Sequence, residues 1–366
     1  MPYMKSNLFL QFIILAVFTS AGYSQLNLNI SYEGYYDDNI FNNFEQTDDF
    51  INSLSLASGF NIESEFNNVQ LYYEGNLSTF RSNQFKNSNS HRIGLVETHL
   101  FSIDDNPLNI GVNYSLRNNK DEFKDYDFNQ ISAYINYRHS ILEDNYLLAG
   151  YLFNRNNFKN LSLFSHYEHK GFLRWISNIA DKTTLIAGAE MDLKDYVEKY
   201  SATDYANDAA LLKFGLSIAK IFGENTRISL YSEYRKSLTD KNRYLFSNEY
   251  IYYEEEIFND LYSSDGVTIG GAVNQYITDE ILLSIEARYL TRNFSSLPVA
   301  DNEGNSLNYL RDDKQFAVGV AAEFDMSFIL EGISLETSWN FINNNSNDYY
   351  YDYSNNLISA SIIFDF

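Results

Sequence analysis

The chain ends Leu357-Ile358-Ser359-Ala360-Ser361-Ile362-Ile363-Phe364-Asp365-Phe366, a run in which apolar and small or polar side chains alternate up to a terminal aromatic. Successive side chains of a strand point to opposite faces. Ile358, Ala360, Ile362, Phe364 and Phe366 therefore share one face, and Ser359, Ser361 and Asp365 share the other. Such a strand sits between an apolar medium and a wet one. The edge strand of a soluble sheet is the plain alternative, and the rest of the chain decides between them.

The same alternation recurs along the chain in about sixteen strand-like segments, with fourteen as the alternative count. One face carries Leu26, Leu28, Ile30 and Tyr32, then Val69, Leu71, Tyr73 and Leu77, then Ile110, Val112 and Tyr114. Further on it carries Leu185, Ala187, Ala189, Met191 and Leu193, and later Phe316, Val318, Val320, Ala322 and Phe324. Charges collect on the interleaved face, among them Glu33, Glu74, Arg117, Arg138, Glu190, Asp192, Lys213, Glu233, Arg235, Glu286, Arg288, Glu323 and Glu336. A charge facing lipid near the midplane costs about 2 to 4 kcal/mol for Arg or Lys, whereas a wet lumen hydrates both signs. Two stretches fit less cleanly. Glu97 is in phase with Ile93 and Leu95, and the run Leu161 to Ile179 spreads His166, Glu168, His169 and Arg174 over both phases, which allows a bulge or an extension beyond the membrane there.

Spacers between the segments alternate between short and long. The tight ones fall at Glu65 to Asn68, Asp104 to Pro107, Glu143 to Asn145, Asp181 to Thr183, Gly223 to Thr226, Thr278 to Glu280 and Leu330 to Gly332, all rich in turn formers. The long ones include Asp37 to Asp49, Asn118 to Asp127, Val197 to Asp208, Leu238 to Ser264, Ser295 to Asp312 and Asn343 to Asn355. Short turns on one side and long loops on the other are the pattern of a transmembrane barrel, periplasmic and extracellular respectively. Backbone groups cannot stay unpaired against hydrocarbon, so spanning strands must close. The expected fold is all-β, a closed antiparallel transmembrane barrel.

At the N-terminus, Lys5 precedes an apolar run from Leu8 to Phe18 and small residues at Ser20, Ala21, Gly22 and Ser24, the layout of a cleaved signal peptide. Residues 1–24 are expected to be that leader and 25–366 the barrel, with cleavage after Gly22 an almost equal fit. No later segment approaches the roughly 20 apolar residues of a membrane helix. The absence of Cys excludes disulfides and Cys-ligated metals, and 31 Tyr with 28 Phe suit strands and interfacial aromatic girdles. The net charge of −23, which becomes −24 without Lys5, argues against nucleic acid as a partner.

Signal peptide, alternating strands, absence of Cys and terminal Phe366 together resemble a single-domain, porin-like outer-membrane barrel of a Gram-negative bacterium, and the Asn- and Tyr-rich composition resembles proteins of the Bacteroidota. The stretch Tyr36-Asp37-Asp38-Asn39 is similar to the first loop of poorly characterised porin-like barrels. The resemblance implies residence in the cell outer membrane among its lipids and lipopolysaccharide. It also implies Phe366 as a signal to the barrel-assembly machinery. No plug or periplasmic domain is expected, and the link Asn118 to Asp127 is short where general porins fold a long third loop inward.

The expected function is passive diffusion of small hydrophilic solutes, with lumen charges Arg117, Arg138, Glu190, Asp192, Glu286 and Arg288 setting selectivity. The narrowing or glycan-contacting element is sought in Leu238 to Ser264, through Tyr244, Phe246, Tyr250, Tyr252, Tyr253, Glu254, Glu255 and Glu256, although the same residues also read as a hairpin above the bilayer. A structural or binding barrel engaging polysaccharide or an envelope partner is the second reading. No catalytic, metal or cofactor site is expected. Asp37/Asp38 and Asp48/Asp49 read first as solvated loop charges and only secondarily as a cation site. His166-Tyr167-Glu168-His169 splits its two His across opposite faces, and His139-Ser140 lies beside a turn with no orienting partner specified. A homo-oligomer is left open, since no outer patch separates from lipid contact.

Overall fold

The computed structural model describes residues 26–101, 106–199, 206–239, 241, 244–246, 251–253, 262–300 and 306–366. The leader expected at residues 1–24 lies outside them. The strands are β1 (Leu26–Asp37), β2 (Asp49–Glu63), β3 (Asn67–Phe80), β4 (Ser88–Leu100), β5 (Pro107–Asn119) and β6 (Phe128–Leu142). They continue as β7 (Asn145–Phe158), β8 (His166–Ala180), β9 (Thr183–Tyr196), β10 (Asp208–Phe222), β11 (Thr226–Ser237), β12 (Tyr244–Phe246) and β13 (Ile251–Tyr253). The last are β14 (Ser264–Thr278), β15 (Ile281–Ala300), β16 (Ser306–Asp325), β17 (Ile333–Ser346) and β18 (Tyr353–Asp365). Sixteen of them form one closed barrel in which each pairs antiparallel with its neighbours, while β12 and β13 form a separate two-stranded hairpin between β11 and β14.

Closure comes from β1 against β18, in register from Asn29 opposite Asp365 to Asp37 opposite Leu357. Beyond that ladder Leu28 and Phe366 exchange backbone hydrogen bonds of 3.0 and 2.8 Å. The terminal residue is thus built into the seam, where Phe366 stacks on Phe364 with ring centroids 6.5 Å apart.

Because register partners share a face, the alternation can be followed round the whole barrel. Tyr32 opposes Leu54, Leu54 opposes Leu77, Ile93 opposes Tyr114, and Tyr114 opposes Ile131. Leu212 follows Met191, Ile269 opposes Tyr289, Val320 opposes Trp339, and Trp339 opposes Ile358, beside Tyr36 on β1. Most of these large side chains are exposed in the isolated chain, with Leu212 and Val320 half-buried, as suits a lipid-facing wall. The barrel is an outer-membrane barrel in its architecture and its apolar exterior. Among the described residues no helix is long and apolar enough to cross a membrane; the strands do so.

The tight turns that lie wholly within the described residues fall at one end, and Gly332 shows what its own turn demands. Its φ is +77°, and an added Cβ would lie 2.0 Å from the Asp365 carbonyl, so only glycine fits. The opposite end carries the longer links. One expected link is corrected: β15 and β16 run on through residues 295–300 and 306–312 as a tall hairpin. Leu297 and Val299 are buried there, and the register shifts around Pro298 absorb a residue that would otherwise end the pairing. Two links not singled out in the sequence, 81–87 and 159–165, each fold around a short 3-10 turn, Gln84–Lys86 and Ser162–Phe164.

Candidate functional site

The inner wall is the candidate site, and the register places all six expected selectivity residues on it. They are not one cluster. Glu190 and Asp192 on β9 share Lys213 of β10, whose Nζ donates to Glu190 Oε1 at 2.9 Å and Asp192 Oδ2 at 2.7 Å. Asp192 is fully buried at this pair, and Arg174 of β8 stands 4.0 Å from Glu190. Glu286 accepts a hydrogen bond of 2.8 Å from the Tyr231 hydroxyl, while Arg288, one inward position along β15, donates to Gln315 at 3.4 Å. Arg117 lies at the extracellular end of β5 and donates to Asn119 at 3.2 Å. Arg138, near the periplasmic end of β6, holds its guanidinium 5.1 Å from the Tyr146 ring. Of these residues, Glu190 and Asp192 are tied to the neighbouring strand by Lys213.

Inward glycines serve the same end. A Cβ on Gly94, Gly111, Gly150 or Gly270 would come within 2.3 to 2.4 Å of the rings of Tyr72, Tyr134, Phe172 and Tyr231, each from an adjacent strand. Each large ring therefore lies flat over a neighbouring glycine. This feature was not recognised in the sequence. Its signal is a mid-strand Gly on the polar phase paired in register directly opposite an inward aromatic, and that pairing is known only once the register is known.

The end of the link 238–263, next to β14, turns inward. Tyr262, just before β14, is buried with Ala209 and Leu211 of β10. Its hydroxyl donates to Glu168 Oε1 of β8 at 2.7 Å, and Lys194 Nζ of β9 lies 4.3 Å from its ring. Glu168 also accepts from Asn154 at 2.7 Å and pairs with Lys170 at 3.2 Å. All of these partners face the lumen, so the base of the link docks on the inner wall of β8 to β10. Tyr262 was not among the residues expected to do this. Of those that were, Tyr250, Glu254, Glu255 and Glu256 lie outside the described residues, and Tyr244, Phe246, Tyr252 and Tyr253 are placed only as the backbone of β12 and β13.

Other buried clusters gather at the extracellular end. Phe158, Leu161, Leu163 and Phe164 form a buried cluster with Phe128 against it. Arg311 and Asp313 form a buried bidentate pair with contacts of 2.6 to 3.0 Å, and the Tyr351 ring lies 3.3 Å from the Arg311 guanidinium. The acidic pairs of the first loop act as ties. Asp38 accepts from the Asn356 backbone and side chain at 2.6 and 2.8 Å, and Asp49 accepts from the backbone of Ser82 and Asn83. Among the described residues no group of three or more His, Asp or Glu could hold a metal ion. His166 and Glu168 face inward and His169 outward, as their spacing requires; the Tyr151 hydroxyl, 2.5 Å away, meets His169 Nδ1 on the outer wall.

No family model and no curated protein matches this chain. Solved outer-membrane structures do. OpdK of Pseudomonas aeruginosa, in its structure with vanillate, has a TM-score of 0.52 at 10% identity, covering 93% of this chain and 99% of its own. OccAB4 of Acinetobacter baumannii reaches 0.55 at 10%, covering 94% and 99%. CdiB of the same species reaches 0.56 at 8%, but only 60% of its length is covered against 94% of this chain. At such identities the likeness establishes the fold, a porin-type barrel.

Proposed function

We propose that this barrel is a channel for passive diffusion of small hydrophilic solutes across the outer membrane. The observation that carries this reading is the inner wall: charged and aromatic side chains are fastened flat by ion pairs and over glycines, an arrangement that keeps a sixteen-stranded lumen from being filled by its own side chains. The fold likeness to OpdK and OccAB4 over nearly their full lengths supports it. Arg117, Arg138, Glu190, Asp192, Glu286 and Arg288 would set selectivity, and the link anchored by Tyr262 would restrict the passage. Phe366, hydrogen-bonded into the seam, would carry the assembly signal to its machinery, and lipid with lipopolysaccharide would cover the outer wall. The Asn- and Tyr-rich composition supports a source in the Bacteroidota, and nothing in the wall's chemistry calls for a catalytic role. A binding barrel remains the second reading, favoured by the aromatic content of the link 238–263.

The test is planar-bilayer conductance of the refolded chain lacking residues 1–24. Stable openings, with selectivity moved toward cations by Arg288→Glu, are the expected result. Silence from heat-modifiable, folded protein, both with and without the long link, would defeat the channel.

A further inference from the structure

Closing β18 onto β1 brings the two ends of the chain into one wall, and that wall has a chemistry of its own. The five consecutive strands β17, β18, β1, β2 and β3 contain no Lys or Arg. Their inward charges in the membrane region are carboxylates, including Glu33, Glu74, Glu336 and Asp365. At the periplasmic base of this wall is a cavity of about 580 Å³, within the roughly 300 to 1,000 Å³ range of small-molecule sites. Its polar lining combines the amides of Asn27, Asn29 and Gln70 with the carboxylates of Glu74 and Asp365 and the hydroxyls of Ser58, Tyr72 and Tyr73. Tyr72 supplies an aromatic surface held against Gly94, and the Gln70 amide reaches within 3.1 Å of where a Cβ of Gly59 would stand.

Resting on the channel reading, we propose that this cavity is a solute-binding bay for small neutral polyhydroxylated molecules, sugars in chemical class. Amides both donate to and accept from hydroxyl groups, and carboxylates accept from them. The two carboxylates lining the bay already have donors. Asn29 Nδ2 lies 2.6 Å from Asp365 Oδ1, and Arg92 Nη1 lies 3.0 Å from Glu74 Oε2. Arg92 balances Glu74, while Asp365, bonded to the neutral Asn29 amide, keeps its charge and an acceptor oxygen for a ligand hydroxyl. An anion finds no unengaged cation among its lining residues and meets the acidic wall above it. A sugar's hydroxyl groups match the amides, and its apolar ring face matches Tyr72.

The test uses the refolded full barrel in detergent, with radiolabelled maltose as probe in equilibrium dialysis and, separately, potassium chloride conductance in a bilayer. Saturable maltose binding is expected, with half-saturation raised about tenfold by Gln70→Ala and by Tyr72→Ala, about 1.4 kcal/mol each. Heat-modifiable migration of both variants keeps misfolding apart from lost binding. No saturable binding by folded protein that conducts would overturn the bay and leave the channel standing. Binding that neither substitution moves, or competition by lysine instead of by glucose, would also overturn it. Loss of conductance with binding intact would instead remove the channel reading.

Discussion

Two walls of the same lumen solve the problem of inward polarity differently. On β8 to β10 the charges come in both signs and are packed into contact: Lys213 between Glu190 and Asp192, Glu168 with Lys170, Tyr262 laid over Lys194. On β17 to β3, through the seam, the strands carry no cations and the inward face is mostly amide, hydroxyl and carboxylate, with Glu74 paired to Arg92 of the next strand. The mixed-sign wall is where a loop base docks, and the wall whose strands lack cations is where the bay lies. Ion pairs that satisfy each other make good anchorage for a link. Polar groups with remaining hydrogen-bonding capacity are better placed to meet a passing solute.

The largest effect expected of this contrast is on stability. Lys213→Met leaves the buried Asp192 and the half-buried Glu190 without their shared ammonium. Removing one partner of a buried pair costs roughly 3 to 5 kcal/mol, and lumen water should reduce this to the lower end. The same step on the other wall, Glu33→Gln, removes a carboxylate with no ion pair among the described residues and should change unfolding free energy by under about 0.5 kcal/mol. Urea unfolding of the two variants in lipid vesicles checks both figures. Equal losses would erase the distinction between the walls.

A smaller effect is expected where side chains lie over glycine. Gly111→Ala puts a methyl 2.3 Å from the Tyr134 ring and must push that ring off the wall. The expected cost is about 1 to 3 kcal/mol, with reduced single-channel conductance as the ring enters the lumen. Adding Tyr134→Ala should restore the conductance. If Gly111→Ala conducts as the parent does, the rings are not held as described.

Much of this was legible before any coordinates, because a two-residue period and turn spacing are local properties. The seven tight turns and the faces of Glu190, Arg288 and Glu97 follow from counting along the strand. Glu97, the misfit among Ile93 and Leu95, does face outward, opposite Ile110. What was not legible depends on distant pairing. The tall hairpin through Pro298 required knowing that Leu297 and Val299 find buried places, and Tyr262 required knowing that the start of β14 lies beside β8 to β10 on the same side of the barrel. The cation-free wall joins residues 333–365 to residues 26–80, and only barrel closure makes them neighbours. The selectivity residues were named from phase alone, which gives a face and not a partner.

The central claim is that alternate residues of each strand face water and lipid around a continuous wall. The absence of native Cys permits a direct measurement: single Cys substitutions at the inward Ser217 and Ala317 and the outward Leu216 and Val318, tested with a membrane-impermeant charged thiol reagent while current is recorded. Modification of the inward pair with a stepwise change in current, and no reaction of the outward pair, is predicted. Equal reactivity on both faces, or modification of the inward pair without any change in current, would contradict it.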